Sequence, residues 1–102
     1  MNPSSIGRAT FHVDEVRFHR AEDREARTGL FGFVSFRING GLRIDGVTVR
    51  RTRHGRLYLG FPTRQSVGGG RFYFVTPIDG VTRRELERQV FAAIGLEEKS
   101  SP

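Results

Sequence analysis

Leu30-Phe-Gly-Phe-Val-Ser-Phe-Arg-Ile38, then Asn39-Gly40-Gly41, then Leu42-Arg-Ile-Asp-Gly-Val-Thr-Val49 is the stretch that decides the fold. In the first run Val34, Phe36 and Ile38 share one face, while Phe31, Phe33, Ser35 and Arg37 share the other. Alternation with a period of two marks a strand, and a strand with Phe on both faces needs cover on both. Asn-Gly is the strongest short hairpin signal, because both residues accept the positive φ that the turn demands. In the second run Leu42 and Ile44 give way to Val47 and Val49, a change of parity across Gly46 that places a bulge there.

The neighbours extend this hairpin into a meander. On the N-terminal side, Phe11 and Val13 change parity to Val16 and Phe18, which puts a second bulge near Asp14-Glu15. Residues 20–29 are almost all charged and read as an exposed connection, with room for a short helix at 21–26. On the C-terminal side, Arg-His-Gly turns the chain into Leu57, Leu59 and Phe61, and Pro62 stops that run. Gly68-Gly69-Gly70 leads to a fifth strand, Arg71-Phe-Tyr-Phe-Val75, ended by Pro77. The last element is a helix over 82–94. Thr82 and Glu85 have the spacing of a capping box, Val81 and Leu86 that of a hydrophobic staple. Leu86, Val90, Ala93 and Ile94 make its apolar stripe, and Gly95 its stop. Arg83, Arg84, Glu87 and Arg88 are assigned to its solvent face, so the helix is structural and not a recognition helix. The class is α+β: an antiparallel meander of about five strands with one C-terminal amphipathic helix laid on a face. It forms a single domain over 11–96, between polar segments 1–10 and 97–102 that read as disordered tails.

Composition narrows the function. The chain has 102 residues and no cysteine, which excludes disulfides, thiolate metal sites and Cys nucleophiles. No apolar run reaches membrane-spanning length and no export signal is evident, so a soluble cytoplasmic protein is expected. The formal charge is +6 and it is unevenly placed. Residues 37–71 carry eight Arg against Asp45 alone, whereas the segments on either side are neutral or slightly acidic. Such a concentration of Arg suits a polyanion, whose condensed counterions it displaces.

The densest feature is the hairpin tip Arg50-Arg51-Thr-Arg53-His54-Gly55-Arg56. It suits phosphate contact, though charge at a strand end also guards against aggregation. Arg64 and Arg71, isolated beside the glycine loop, are candidates for reading base edges, or else cap a turn and sit on an edge strand. Tyr58 and Tyr73 are open to base stacking or to half-buried packing. The glycines are not a phosphate loop, since a strand follows them and no Gly-Lys-Ser/Thr is present. His12, His19 and His54 lack metal-ligand spacing, and no nucleophile has a partnered His/Asp pair. An enzyme is therefore not expected, nor a cofactor, a metal or a small-molecule substrate.

Two blocks carry a family resemblance. Leu42-Arg-Ile-Asp-Gly-Val-Thr-Val49 and Gly55-Arg-Leu-Tyr-Leu-Gly-Phe-Pro-Thr-Arg64, followed by Thr76-Pro-Ile78 and the terminal helix, resemble the SpoVG family of bacterial sporulation- and septation-associated regulators. The likeness spans roughly Phe11 to Ile94. It departs where the family tends to show Asp and His before Pro-Ile; here Tyr73 and Thr76 stand. The resemblance implies a dimer joined through strands that binds DNA, and also RNA, to regulate gene expression. The residues themselves suggest a homodimer through the Phe31 and Phe33 face. A protein-interaction module with an acidic partner, linked to cell division, is the alternative reading of the same basic tip.

Overall fold

A computed structural model describes residues 10–96, so the segments read above as tails lie outside the described residues, apart from Thr10. The elements are β1 (Val13–Arg20), α1 (Asp23–Ala26), β2 (Leu30–Ile38), β3 (Leu42–Arg51), β4 (Leu57–Gly60), β5 (Thr63–Gln65), β6 (Arg71–Tyr73) and α2 (Gly80–Ile94). β1 to β4 form one antiparallel sheet in chain order, and β5 and β6 form a separate two-stranded sheet. The α+β class stands. The meander, however, stops at four strands: the fifth run is short and pairs only with the segment before it.

Both bulges fall where parity changes. The β1–β2 register shifts between Asp14 and Arg17, with Glu15 at φ 50°. The β2–β3 register shifts between Val34 and Phe36, opposite Gly46 at φ 77°. Across the first bulge the Arg37 guanidinium donates to both Asp14 oxygens, at 2.9 and 3.2 Å. This holds the Asp14 carboxyl below its ordinary range and the Arg37 guanidinium above. A third shift, between Leu30 and Gly32, interrupts the alternation of β2. Phe31 consequently stacks on Phe18, with centroids 5.9 Å apart, and packs against the core instead of sharing a face with Phe33. Gly32 is obligatory there, because a Cβ would lie 2.5 Å from the Phe18 ring.

The core comprises Val13, Val34, Phe36, Ile44, Val47, Val49, Leu57 and Leu59 from the sheet, Phe61 just beyond β4, and Leu86, Val90 and Phe91 from α2. Helix α2 begins earlier than its sequence signals suggest. Its N-cap is Asp79, whose Oδ1 accepts the Thr82 N–H at 2.7 Å, which lowers the Asp79 pKa. The Thr82–Glu85 capping box does not form; Glu85 accepts instead from Arg88 and Gln89, which pull its pKa down to about 2. Gly95 ends the helix in the left-handed region, as its position indicates.

The buried stripe is rotated from the expected one. Ala93 is exposed, whereas Phe91 and Glu87 are buried. Glu87 Oε2 accepts the Leu59 N–H at 3.0 Å and Arg83 Nη1 at 3.1 Å. Arg83 Nη1 in turn donates to the Leu59 carbonyl at 2.9 Å. Both backbone groups of Leu59, on the free edge of β4, are thereby satisfied by helix side chains. At the other edge of the sheet Gln89 Oε1 accepts the Val13 N–H at 2.7 Å and Gln89 Nε2 donates to the Phe11 carbonyl at 2.9 Å. An edge strand with unpaired groups is a template for unwanted pairing; α2 occupies both edges. None of the helices among the described residues is long and apolar enough to cross a membrane.

Glu87→Ala strips the partner from a buried N–H and should cost about 1–3 kcal/mol. Arg88→Ala removes an exposed ion pair and should cost under about 1 kcal/mol. Urea unfolding of the two variants measures the difference.

Candidate nucleic-acid interface

The hairpin tip projects from one end of the sheet, where β3 passes into β4. Thr52 shapes it: its N–H donates to the Arg56 carbonyl at 2.8 Å, and its Oγ1 accepts the Arg56 N–H at 3.0 Å. Gly55, at φ 87°, completes the turn. Arg53 and His54 are exposed at this turn. Arg50 and Arg51 lie just below, on β3.

Arg50 is half-buried beside Tyr58 in the β3–β4 register, and its Nη2 donates to the Thr28 carbonyl at 3.1 Å. Arg51 donates its N–H to the Gly29 carbonyl at 2.8 Å, and its guanidinium lies 4.8 Å from the Phe31 centroid. Arg20, at the end of β1, lies over the same ring at 5.4 Å. The aromatic quadrupole attracts both cations and fixes the faces of the guanidinium groups. Their N–H donors lie in the guanidinium plane and stay available to a phosphate.

These interactions bring together residues far apart in the chain. Arg20, Arg27, Arg51 and Arg53 line one concavity of about 480 Å³ at this end of the sheet, with Asp23 the one acid on its wall. Arg56 lines a second concavity, of about 390 Å³, with Arg84, Arg88, Glu87 and Phe91 of the helix. Within that second group Arg88 is paired with Glu85, and Glu87 serves Arg83 and Leu59. The basic surface is therefore broader than the tip. It includes Arg20 and Arg27, which the sequence pattern assigns to a solvated connection. The signal that places them is the pairing of Leu30 with Arg50, which folds the β1–β2 connection back beside the tip.

Arg64 and Arg71 stand elsewhere. They belong to β5 and β6, which follow the opposite end of β4 from the tip. Both are exposed, and Arg71 Nη1 donates to Thr63 Oγ1 at 3.1 Å. One chain thus does not gather them with Arg50, Arg51, Arg53, His54 and Arg56 on a common end of the sheet. Tyr58 is half-buried and Tyr73 exposed, as is Thr76. Among the described residues, no three His, Asp or Glu side chains come together in a way that could hold a metal ion.

No family model matches the chain, and no curated protein matches it.

Gly29 sets the spacing between the connection and the tip: φ is 92°, and a Cβ would meet the Arg51 carbonyl at 2.9 Å. Gly29→Ala should destabilise by about 1–3 kcal/mol through backbone strain. Gly68→Ala, in open space, is the near-neutral control. Thermal melts of both distinguish a positional requirement from a general intolerance of alanine.

Proposed function

We propose that this protein is a nucleic-acid-binding regulator of the SpoVG type, and that it grips phosphates with the end of the sheet bearing the β3–β4 tip. The observation that carries the reading is the convergence of Arg20, Arg27, Arg51 and Arg53 on one concavity against a single acid. Two of these guanidinium groups are already held over Phe31, so less freedom is given up when a phosphate docks. The regulatory role rests on the resemblance of Leu42–Val49, Gly55–Arg64 and Thr76–Ile78 to SpoVG motifs. DNA is the first ligand, with RNA a second polyanion of the same chemistry.

A surface of this kind reads charge before sequence, since phosphate contacts position a protein and base contacts specify. Arg20→Ala with Arg27→Ala, remote in sequence from the tip, should weaken binding to unrelated duplexes alike. The slope of log affinity against log salt should flatten by about 0.9 for each phosphate no longer neutralised. Arg51→Ala with Arg53→Ala should do the same. Fluorescence anisotropy with two unrelated duplexes at several salt concentrations measures both. An unchanged slope in the Arg20/Arg27 pair would remove the concavity from the interface; tight binding to an acidic protein but not to DNA would replace the reading.

A further inference from the structure

Val34, Phe36, Val47, Val49 and Leu59 turn one face of the four-stranded sheet toward α2. The residues that alternate with them belong to the opposite face, and strand pairing arranges them in rows across it. The two ends of that face differ. Toward the β2–β3 turn the charges are paired: Arg37 with Asp14, and Arg43 with Asp45 at 3.2 Å. Toward the arginine tip the rows hold no acid. One row sets His19 beside Phe33 and Thr48, and the next sets Arg50 beside Tyr58. Arg17, opposite Ser35, stands behind the Phe33 row.

This half of the face joins aromatic surface to positive charge. Phe33 is 39 % exposed and Tyr58 half-buried, while Arg17 and His19 are exposed. Phe33 and Tyr58 lie two strands and two residues apart, roughly 12 Å at the ordinary strand spacing and rise. Gly60 keeps the ground between them low. A Cβ there would strike Thr48 Oγ1 at 2.5 Å and crowd Arg50 Cδ at 3.3 Å. With glycine in place the Arg50 stem lies across β4, and its Nη2 is held on the Thr28 carbonyl at 3.1 Å. The guanidinium keeps further N–H donors for a phosphate. Arg53 and His54 of the tip continue the basic surface from the end of these strands.

We propose, as a step that rests on the nucleic-acid reading of the tip, that this open sheet face binds single-stranded nucleic acid. Unpaired bases stack on Phe33 and Tyr58, and the strand's phosphates run past Arg17, His19 and Arg50. The aromatic rings select the unpaired state. In a duplex each base face is covered by its neighbours, so a ring on a sheet finds nothing to stack on. A broad sheet is also too flat to enter a groove, whereas aromatic side chains on a four-stranded sheet can hold two or three splayed bases. Stacking is tolerant of sequence because every base has a π-face. Ribose and deoxyribose strands share this chemistry. A second copy of the chain is the poorer occupant, since it would bring its own cations against these.

Short oligo(dT) and oligo(U), which form no duplex alone, and a duplex DNA of the same length are compared by fluorescence anisotropy. The wild-type chain should bind an oligonucleotide as well as the duplex. Phe33→Ala should weaken single-strand binding roughly 5- to 150-fold, the loss of one base stack, and leave duplex affinity unchanged. Phe33→Tyr should restore it. The chain has two Tyr and no Trp, so Tyr73→Phe leaves Tyr58 the sole emitter, and a stacked base should quench it. Duplex binding with neither oligonucleotide bound would overturn this proposal alone. So would equal losses of single and double strands in Phe33→Ala, or unquenched Tyr58 emission at saturating oligonucleotide. A Phe33→Ala chain with altered sedimentation but wild-type oligonucleotide affinity would give the face to a second copy instead. Binding of no nucleic acid at all would remove the reading of the tip and this proposal with it.

Discussion

The carboxylate of Glu87 and the amide of Gln89 hold opposite edges of one four-stranded sheet, and the other features of the fold are arranged around that clamp. Glu87, with Arg83, satisfies Leu59 on β4; Gln89 satisfies Phe11 and Val13 at the start of β1. A helix that only laid Leu86, Val90 and Phe91 on the sheet would be free to slide. One that also hydrogen-bonds to named backbone groups at both edges has a single position. Backbone groups buried without partners cost free energy comparable to a broken hydrogen bond, so the clamp both places the helix and removes that penalty.

The clamp has a topological effect as well. β4 is four residues long. Its pairing with Thr48–Arg51 joins the arginine tip at one end to the point where the chain leaves the sheet at the other. Past Gly60 the chain turns at Pro62 into the β5–β6 hairpin, outside the sheet. The cationic and the apolar surfaces are thus separated by the length of β4 instead of being mixed. That separation keeps the arginine tip and the exposed apolar side chains of the β5–β6 hairpin on different parts of the surface.

Local patterns in the sequence are informative wherever local geometry decides the outcome. Changes of apolar parity at Asp14-Glu15 and at Gly46 locate both bulges, since a one-residue insertion moves every later side chain to the other face. Gly95 locates the helix stop. The helix start misleads because Thr82 and Glu85 have capping-box spacing, while Asp79, three residues before Thr82, is the residue that accepts the Thr82 N–H. Glu87 reads as solvent-facing because Arg83 and Glu87 look like an exposed i,i+4 pair; that they face Leu59 is set by the orientation of the helix on the sheet, which no local pattern encodes. The third β2 shift, at Leu30–Gly32, is hidden for the same reason, and with it the burial of Phe31. Arg50, Arg51, Arg53, His54 and Arg56 are legible as a cluster because they are adjacent in sequence. Arg20 and Arg27 are not, because strand pairing alone brings them to the tip.

If arginines from the β1–β2 connection and from the β3–β4 tip form one phosphate-binding surface, both segments must respond together to a single ligand. Amide chemical-shift mapping of the ¹⁵N-labelled chain during titration with a short duplex DNA shows whether they do. Salt-reversible shifts are expected at Arg20, Arg27, Gly29, Arg51 and Arg53, with residues 63–73 unmoved. Shifts confined to 63–73, or none at the tip at saturating DNA, would contradict a shared surface.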